Sequence, residues 1–559
     1  MHFSVSKRIL KILAIVLAVF FVLLFIFMRF YLSPMLRVKL VDAVSQGSDG
    51  LYALEMEGLQ CNLLTGSARM EQLWLHTDTA LLSKLRREQP GRLFLEVDLR
   101  MPELNVRHAK FLASYFSRNI RLGAITMVDP VLYLRSIRDS VITAQPDSIQ
   151  KSLLDRLPDF LSPDLKSLLV ERFNFQNGAI EYQTITAGKR TAQSADSIHC
   201  VLDRICVEKN PQLSENRTLY ADDITLDFKN YTFSTSTTPY LLAVGAGAMS
   251  GSGEVLTLHG FSTGPKINDE EFVSRQKWRK ARIRLDLEKV EITRLDFFRM
   301  LHRGEWAMET VEVKNGKLDV LIDKNVVHVP AKKMPNEVMR ALDFRLSIDS
   351  ILAKNIDILL TEVKPEGKGE ISFSNARVKI INLSNDPARM SDAAPARIYV
   401  TCSLMGKAQL DLTVMLPLLS KDFACSYHAT LGTMPMSALN PLFEKDNLIL
   451  EAGELKSVTL DATTRNGIAE GALIADYSDL KIKLVNADDK KKKRSLSWMA
   501  NVLVRSNNKN AYLVPSGRTG KMDYQRVPGD DLLRFMWRSA RNGLLDILIP
   551  GVKVPFPPD

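Results

Sequence analysis

The sequence predicts a mainly β protein with short α-helices, in which an N-terminal transmembrane helix precedes an elongated antiparallel β-sheet built from strand-helix-strand repeats. Three observations predict it: a recurring ten-residue motif, an apolar run near the N-terminus, and too few long helices to cover the one-sided strands.

The motif sets two alternating apolar residues on either side of a short polar centre. Two copies have Asn-Gly at that centre: Phe173, Phe175, Asn177-Gly178, Ile180, Tyr182 and Val311, Val313, Asn315-Gly316, Leu318, Val320. Looser copies are Ile125, Met127, Asp129-Pro130, Leu132, Leu134 and Ile371, Phe373, Asn375-Ala376, Val378, Ile380. Asn-Gly favours a two-residue hairpin turn, which would pair Val313 with Leu318 and Val311 with Val320 and put all four on one face. Pro130 and Ala376 suit such a turn poorly, so the looser copies read as bends between strands.

The apolar run extends without interruption from Ile12 to Met28. As a helix it would measure roughly 26 to 30 Å, about one bilayer hydrocarbon core. A cleaved signal peptide could use Lys7, Arg8 and Lys11 as its basic region, but the run is long for that role and bulky residues follow it. An uncleaved anchor is therefore expected. The flanking charges nearly cancel, with Lys7, Arg8 and Lys11 facing Arg29, Arg37 and Lys39. A short tail before a large domain is expected to leave the N-terminus in the cytoplasm and the bulk of the chain outside it, which in a Gram-negative cell is the periplasm.

Alternating segments dominate beyond the run. Val97, Leu99, Met101, Leu104 and Val106 align without a gap on Ile283, Leu285, Leu287, Val290 and Ile292, at an offset of 186 residues that also carries Leu132 onto Leu318. Each unit reads as a strand, a short helix (109–116 or 295–302) and a strand pair, which points to internal repetition. Further strands are expected over 398–404, 408–414, 423–431, 448–450, 455–462 and 480–484, and short helices over 148–157, 164–172, 336–342, 437–443 and 495–504. An amphipathic helix over 531–548 reads as a cap on the β region in preference to an interfacial membrane helix.

Composition and motifs exclude several classes. With 559 residues and 46% hydrophobic content the chain is not disordered. Its formal charge is +10, and the densest basic cluster, Lys490–Arg494, reads as a solvated loop in preference to a lipid-headgroup contact; no stacking aromatics accompany it, and no nucleic acid partner is expected. The five cysteines, Cys61, Cys200, Cys206, Cys402 and Cys425, form no CxxC pair and read as buried thiols, with a pair distant in sequence as the alternative. His199, His259, His328 and His428 are scattered with no HExxH, so no metal site is expected. The stretch Gly245–Gly253 places Ser250 where a dinucleotide fingerprint needs glycine or alanine, and reads as a flexible hairpin or bulged strand. No catalytic residue and no cofactor is expected, and the chain is not read as an enzyme.

One-sided strands need cover, which a second sheet could provide, or acyl chains could if one sheet curls around them. The candidate lining is Val97, Leu99, Phe173, Phe175, Leu285, Leu287, Val311, Val313, Ile371, Phe373, Leu410 and Leu412, with a dry core as the alternative.

The tail carries Asn440-Pro441, Ala452-Gly453-Glu454-Leu455, Gly471 to Ile482 with Tyr477 and Leu480, Met499 to Val504, and Phe535-Met536-Trp537. With the single anchor and the strand-rich body, these resemble the AsmA-like family of envelope proteins, including its TamB-type and YhdP-type members. The resemblance implies a bitopic inner-membrane protein whose periplasmic part forms a curved, taco-like β-groove. The organisation expected is a tail and anchor over 1–33, an AsmA-like repeat region over 34–485, and a basic segment with an amphipathic helix over 486–559. Expected partners are membrane phospholipids and other envelope proteins. The expected function is lipid binding or transfer between inner and outer membrane, with outer-membrane protein assembly through protein contacts as the alternative.

Overall fold

Period-two alternation is realised as 22 strands, β1–β22, in a computed structural model that describes residues 31, 33–62, 65–89, 94–109, 119–138, 166–208, 218–365, 367–443, 448–484 and 518–548. The apolar run Ile12–Met28, the basic cluster Lys490–Arg494 and the helices expected over 148–157 and 495–504 lie outside those residues, as does all but Ala109 of the helix over 109–116. Among the described residues no helix is long and apolar enough to cross a membrane. The chain divides into two compact units, residues 1–238 with 243–254, and residues 239–242 with 255–559.

The first unit contains helix α1 (Ser33–Gly47), β1 (Tyr52–Glu55), β2 (Gly58–Asn62), β3 (Ser67–Thr77), α2 (Thr79–Glu88), β4 (Phe94–Arg107), β5 (Asn119–Val128), β6 (Val131–Arg138), β7 (Ser167–Thr186), β8 (Lys189–Glu208), β9 (Asp223–Thr235) and most of β10 (Tyr240–Ser250). β3 is antiparallel to β4, and β4 is antiparallel to both β5 and β6. β5 and β6 in turn lie parallel to β7, after which β7, β8 and β9 pair antiparallel.

In the second unit the elements are β11 (Val255–Pro265), α3 (Asp269–Ser274), β12 (Arg282–Thr293), β13 (Trp306–Asp323), α4 (Pro335–Arg340), β14 (Leu346–Lys364), β15 (Gly367–Ser384) and β16 (Ala396–Leu404). They continue with β17 (Ala408–Leu416), β18 (Cys425–Leu431), β19 (Met434–Pro435), α5 (Asn440–Phe443), β20 (Leu448–Arg465), β21 (Ile468–Leu484), β22 (Arg518–Gln525) and α6 (Leu532–Leu548). From β11 to β16 the pairings run antiparallel, antiparallel, parallel, antiparallel, antiparallel, the order already seen from β3 to β9. Leu99 opposite Leu132 recurs as Leu285 opposite Leu318. The repeat is therefore carried by strand pairing as well as by spacing.

Three expectations are corrected. The sheet is mixed, not purely antiparallel, because each unit makes one parallel step; in the second unit this step is joined by residues 324–345 with α4, long enough for a crossover. The helix expected over 164–172 is the start of β7 from Ser167 onward, where Leu168 pairs with Ile120 on one side and Val207 on the other, so pairing on both flanks overrides local preference. The separate strands expected over 448–450 and 455–462 are one irregular strand, β20.

A further correction concerns the motif itself. Asn177-Gly178 and Asn315-Gly316 make no hairpin; β7 and β13 run straight through them. Asn177, Asn315 and Asn375 have φ of 52, 54 and 54, and Asp129, between the collinear β5 and β6, has 48. One left-handed residue inside a strand is a bulge, and asparagine tolerates it better than most side chains. A bulge shifts the alternation by one, so Val311 and Val313 stay on the same face as Leu318 and Val320 although their numbers differ in parity. The one-sided character inferred from a turn survives because a bulge has the same effect on register. Neighbouring bulges line up and share hydrogen bonds: Asn177 Nδ2 donates to Asp129 Oδ1 at 2.7 Å, Asn315 Nδ2 to Glu288 Oε2 at 2.7 Å, and Asn355 Nδ2 to Asn315 Oδ1 at 3.1 Å.

The amphipathic helix expected over 531–548 is α6, and it caps β21 and β22, burying Phe535, Met536, Ser539, Gly543 and Ile547. Its first turn is pinned where Asp530, fully buried, accepts from Tyr524 Oη at 2.8 Å and Arg538 Nη1 at 3.0 Å. Ser539 Oγ donates to Met536 O, which leaves Tyr427 Oη to donate to Ser539 Oγ at 2.5 Å. Burial pushes both phenols, Tyr427 and Tyr524, up to about 12. A raised folded-state value means that their contribution is complete below the unfolded value near 10 and is lost as pH rises through about 12. Near-ultraviolet circular dichroism should accordingly report loosening of the α6 cap between those values, and Tyr427→Phe with Tyr524→Phe should flatten that transition.

Candidate functional site

The twelve residues expected to line a surface fall on six strands. Val97 and Leu99 are on β4, Phe173 and Phe175 on β7, Leu285 and Leu287 on β12, Val311 and Val313 on β13, Ile371 and Phe373 on β15, and Leu410 and Leu412 on β17, the last ten also covering both units. All twelve are half-buried: none is sealed in a dry core and none is fully open.

Pairing places them in rows across each sheet. In the first unit Phe173 lies between Ile125 and Leu202, and Phe175 between Met127 and Cys200. Val97 and Leu99 oppose Leu134 and Leu132, on the other side of the bulge at Asp129. In the second unit Val311 lies between Ile292 and Ile351, Val313 between Val290 and Ala353, and Phe373 between Ile358 and Leu404. Leu287, Val313, Phe373 and Leu410 pack around buried Ile356, Ala376 and Cys402, forming one apolar cluster from β12 to β17.

This cluster meets a closed core. Ile371, Phe373 and Leu412 also border the large buried group under α4, α5 and α6, which contains Met334, Phe423, Tyr477, Met522 and Phe535. The apolar face of the second unit is thus sealed toward β22 and only half-covered from β12 to β15. Bookkeeping by strand length makes the apolar stretch of β4, from Val97 to Val106, about 30 Å long, comparable to the hydrocarbon thickness of a bilayer.

Sequence reasoning missed β14 and with it Ile351, Ala353, Ile356 and Ile358. The signal was present in compressed form, since Asn355 (φ 57) interrupts the alternation there as Asn315 does in β13. It also missed that Pro102 falls opposite the left-handed Gln72, between the pairs Glu71–Glu103 and Leu73–Met101, where a missing N–H costs no ladder bond.

Little on these surfaces resembles reaction chemistry. Among the described residues no group of His, Cys, Asp and Glu is placed to hold a metal ion. Burial holds the Cys402 and Cys425 thiols up to about 11, and none of the five cysteines is joined in a disulfide. His199 and His428 are exposed on β8 and β18, and His428 Nδ1 lies 2.6 Å from Asp461 Oδ1. Gly245 to Ser250 belong to β10, in line with a strand. No family model matches the chain, and comparison with curated proteins gives no match.

Proposed function

We propose that this is a membrane-anchored envelope protein whose half-covered apolar sheet faces bind lipid and pass it between the inner and outer membranes. The observation that carries the reading is the uniform half-burial of the twelve aligned residues, where a closed sandwich would have buried them. An acyl chain laid on such a face gains about 0.8 kcal/mol for each methylene removed from water. Polar headgroups remain in solvent, and no bond is made or broken. The run Ile12–Met28 would hold the chain in the inner membrane, with its body in the periplasm, and the tail motifs that resemble AsmA-like proteins favour the same setting. Phospholipids are the proposed ligands, and envelope proteins would complete the route.

The reading is tested by purifying the chain from Tyr31 onward and identifying bound lipid by mass spectrometry. Phospholipid should co-purify, and Val313→Glu with Phe373→Glu should remove most of it while far-ultraviolet circular dichroism stays unchanged. A folded, lipid-free protein would sink the proposal, and a stoichiometric protein partner in its place would favour an assembly factor.

A further inference from the structure

Helix α1 presents two different apolar faces. Its inner face packs on the first sheet: Ser33 Oγ accepts from Cys61 N at 3.2 Å, and Leu36 and Val41 pack against a cluster containing Met56, Leu59, Leu73 and Met101. Its outer face leaves Met35 and Val38 exposed by 37% and 59%, and Tyr31, which precedes the helix, is exposed by 63%. The i, i+3 spacing puts Met35 and Val38 on one stripe. The next positions along that stripe are Asp42, Ser45 and Gln46, all exposed, so the apolar character is confined to the beginning of the helix.

Single exposed apolar residues need no explanation, but a periodic stripe limited to one end of a helix does. The chain supplies its occupant. Met28 closes the bilayer-length apolar run, and three residues of chain reach at most about 11 Å in any conformation. Wherever the run ends, Tyr31 must lie within that distance, which is on the order of the polar layer flanking a bilayer's hydrocarbon core. The charge agrees with an anionic surface: Arg29, Arg37 and Lys39 face a single acid, Asp42, over residues 29–47.

We propose that the outer face of α1 lies on an anionic lipid bilayer through Met35 and Val38, next to Tyr31, with Lys39 at the headgroups, while Arg37 Nη1 donates to Glu57 O on the sheet side of the helix. The docking stands on α1 and the adjoining sequence; only its consequence rests on the lipid-binding reading above. That consequence follows from the inner face. Leu104, Val106 and Met127 belong to the cluster under α1, and Val106 is opposite Ile125, which is opposite Phe173. The apolar rows of the first unit therefore begin beneath the helix that touches the membrane, and a lipid can pass from bilayer to sheet with little exposure to water.

The test uses the full chain reconstituted in phosphatidylcholine vesicles with and without phosphatidylglycerol, carrying a photo-crosslinking side chain at position 35, 38 or 46. Positions 35 and 38 should give lipid adducts and position 46 almost none, with yields higher when phosphatidylglycerol is present. Lys39→Gln should reduce that increase. Equal adducts at all three positions, or protein adducts at 35 and 38, would overturn the docking; yields indifferent to phosphatidylglycerol would overturn the assignment of an anionic surface. Lipid carried by the sheet is measured separately on the fragment from Tyr31, so failure of α1 docking and failure of lipid binding are read independently.

Discussion

Deleting Asn315 should destabilise the second unit more than any substitution at the same position. The residue holds φ at 54, and without it Leu318, Val320 and Ile322 would rotate to the face now occupied by Lys317 and Asp319. Fully burying one such side chain is worth about 1.5 to 3 kcal/mol, and all three are half-buried, so the loss is on the order of 2 to 4 kcal/mol. That is a large share of the roughly 5 to 15 kcal/mol by which domains are stable. Asn315→Val keeps the register but forces a β-branched residue into the left-handed region, at about 1 to 2 kcal/mol. It also removes the hydrogen bonds to Glu288 and Asn355. Asn315→Gly should cost least, because glycine adopts this conformation freely. Denaturant unfolding of the three variants should rank deletion above valine above glycine, and a deletion no worse than the valine variant would refute the bulge as the source of the one-sided face.

Gly520→Val is expected to expel α6 from the sheet. A Cβ at Gly520 would sit 1.9 Å from the carbonyl oxygen of Gly543 and 2.8 Å from its carbon, and both are backbone atoms with no flexible side chain to yield. Relief requires the helix to move, which uncovers Phe535, Met536 and Ile547, all at most 9% exposed. Losing that packing should cost on the order of 4 kcal/mol or more, in the range of the most damaging core substitutions. Limited proteolysis should then cut within 532–548 before the β12–β15 region, and fluorescence of Trp537 should shift. A variant with native protease resistance would mean that α6 is not held by this close approach.

Much of the fold was legible because alternation is a local property. The strands over 398–404 and 408–414 and the helices over 336–342 and 437–443 emerge within a few residues of expectation, since each is set by its own spacing. The pairing of the repeats was legible through Val97 to Val106 on Ile283 to Ile292. What local pattern could not distinguish was a turn from a bulge at Asn315-Gly316: both need a left-handed residue and both displace the alternation by one. The choice is made by partners distant in sequence, β12 and β14, which bond β13 along its whole length. The same holds for Ser167 to Arg172, whose strand state is imposed by β5 and β8. The candidate surface was legible as a set of apolar positions, but its half-covered state was not, because cover depends on where α4, α5 and α6 close the sheet.

The contact between α6 and β22 bears on how the chain survives its own synthesis. An unpaired strand edge invites aggregation, and among the described residues β22 has a sheet partner, β21, on only one side. Asp546 Oδ2 accepts from Lys521 N at 2.9 Å and Asn542 Nδ2 donates to Asp523 O at 2.7 Å, so helix side chains occupy backbone groups that another copy would otherwise capture. Because α6 follows β22 after only a few residues, strand and guard leave the ribosome almost together. The interval in which a nascent chain could pair with its neighbour at this edge is correspondingly brief, and the same two side chains that finish the sheet also limit polymerisation.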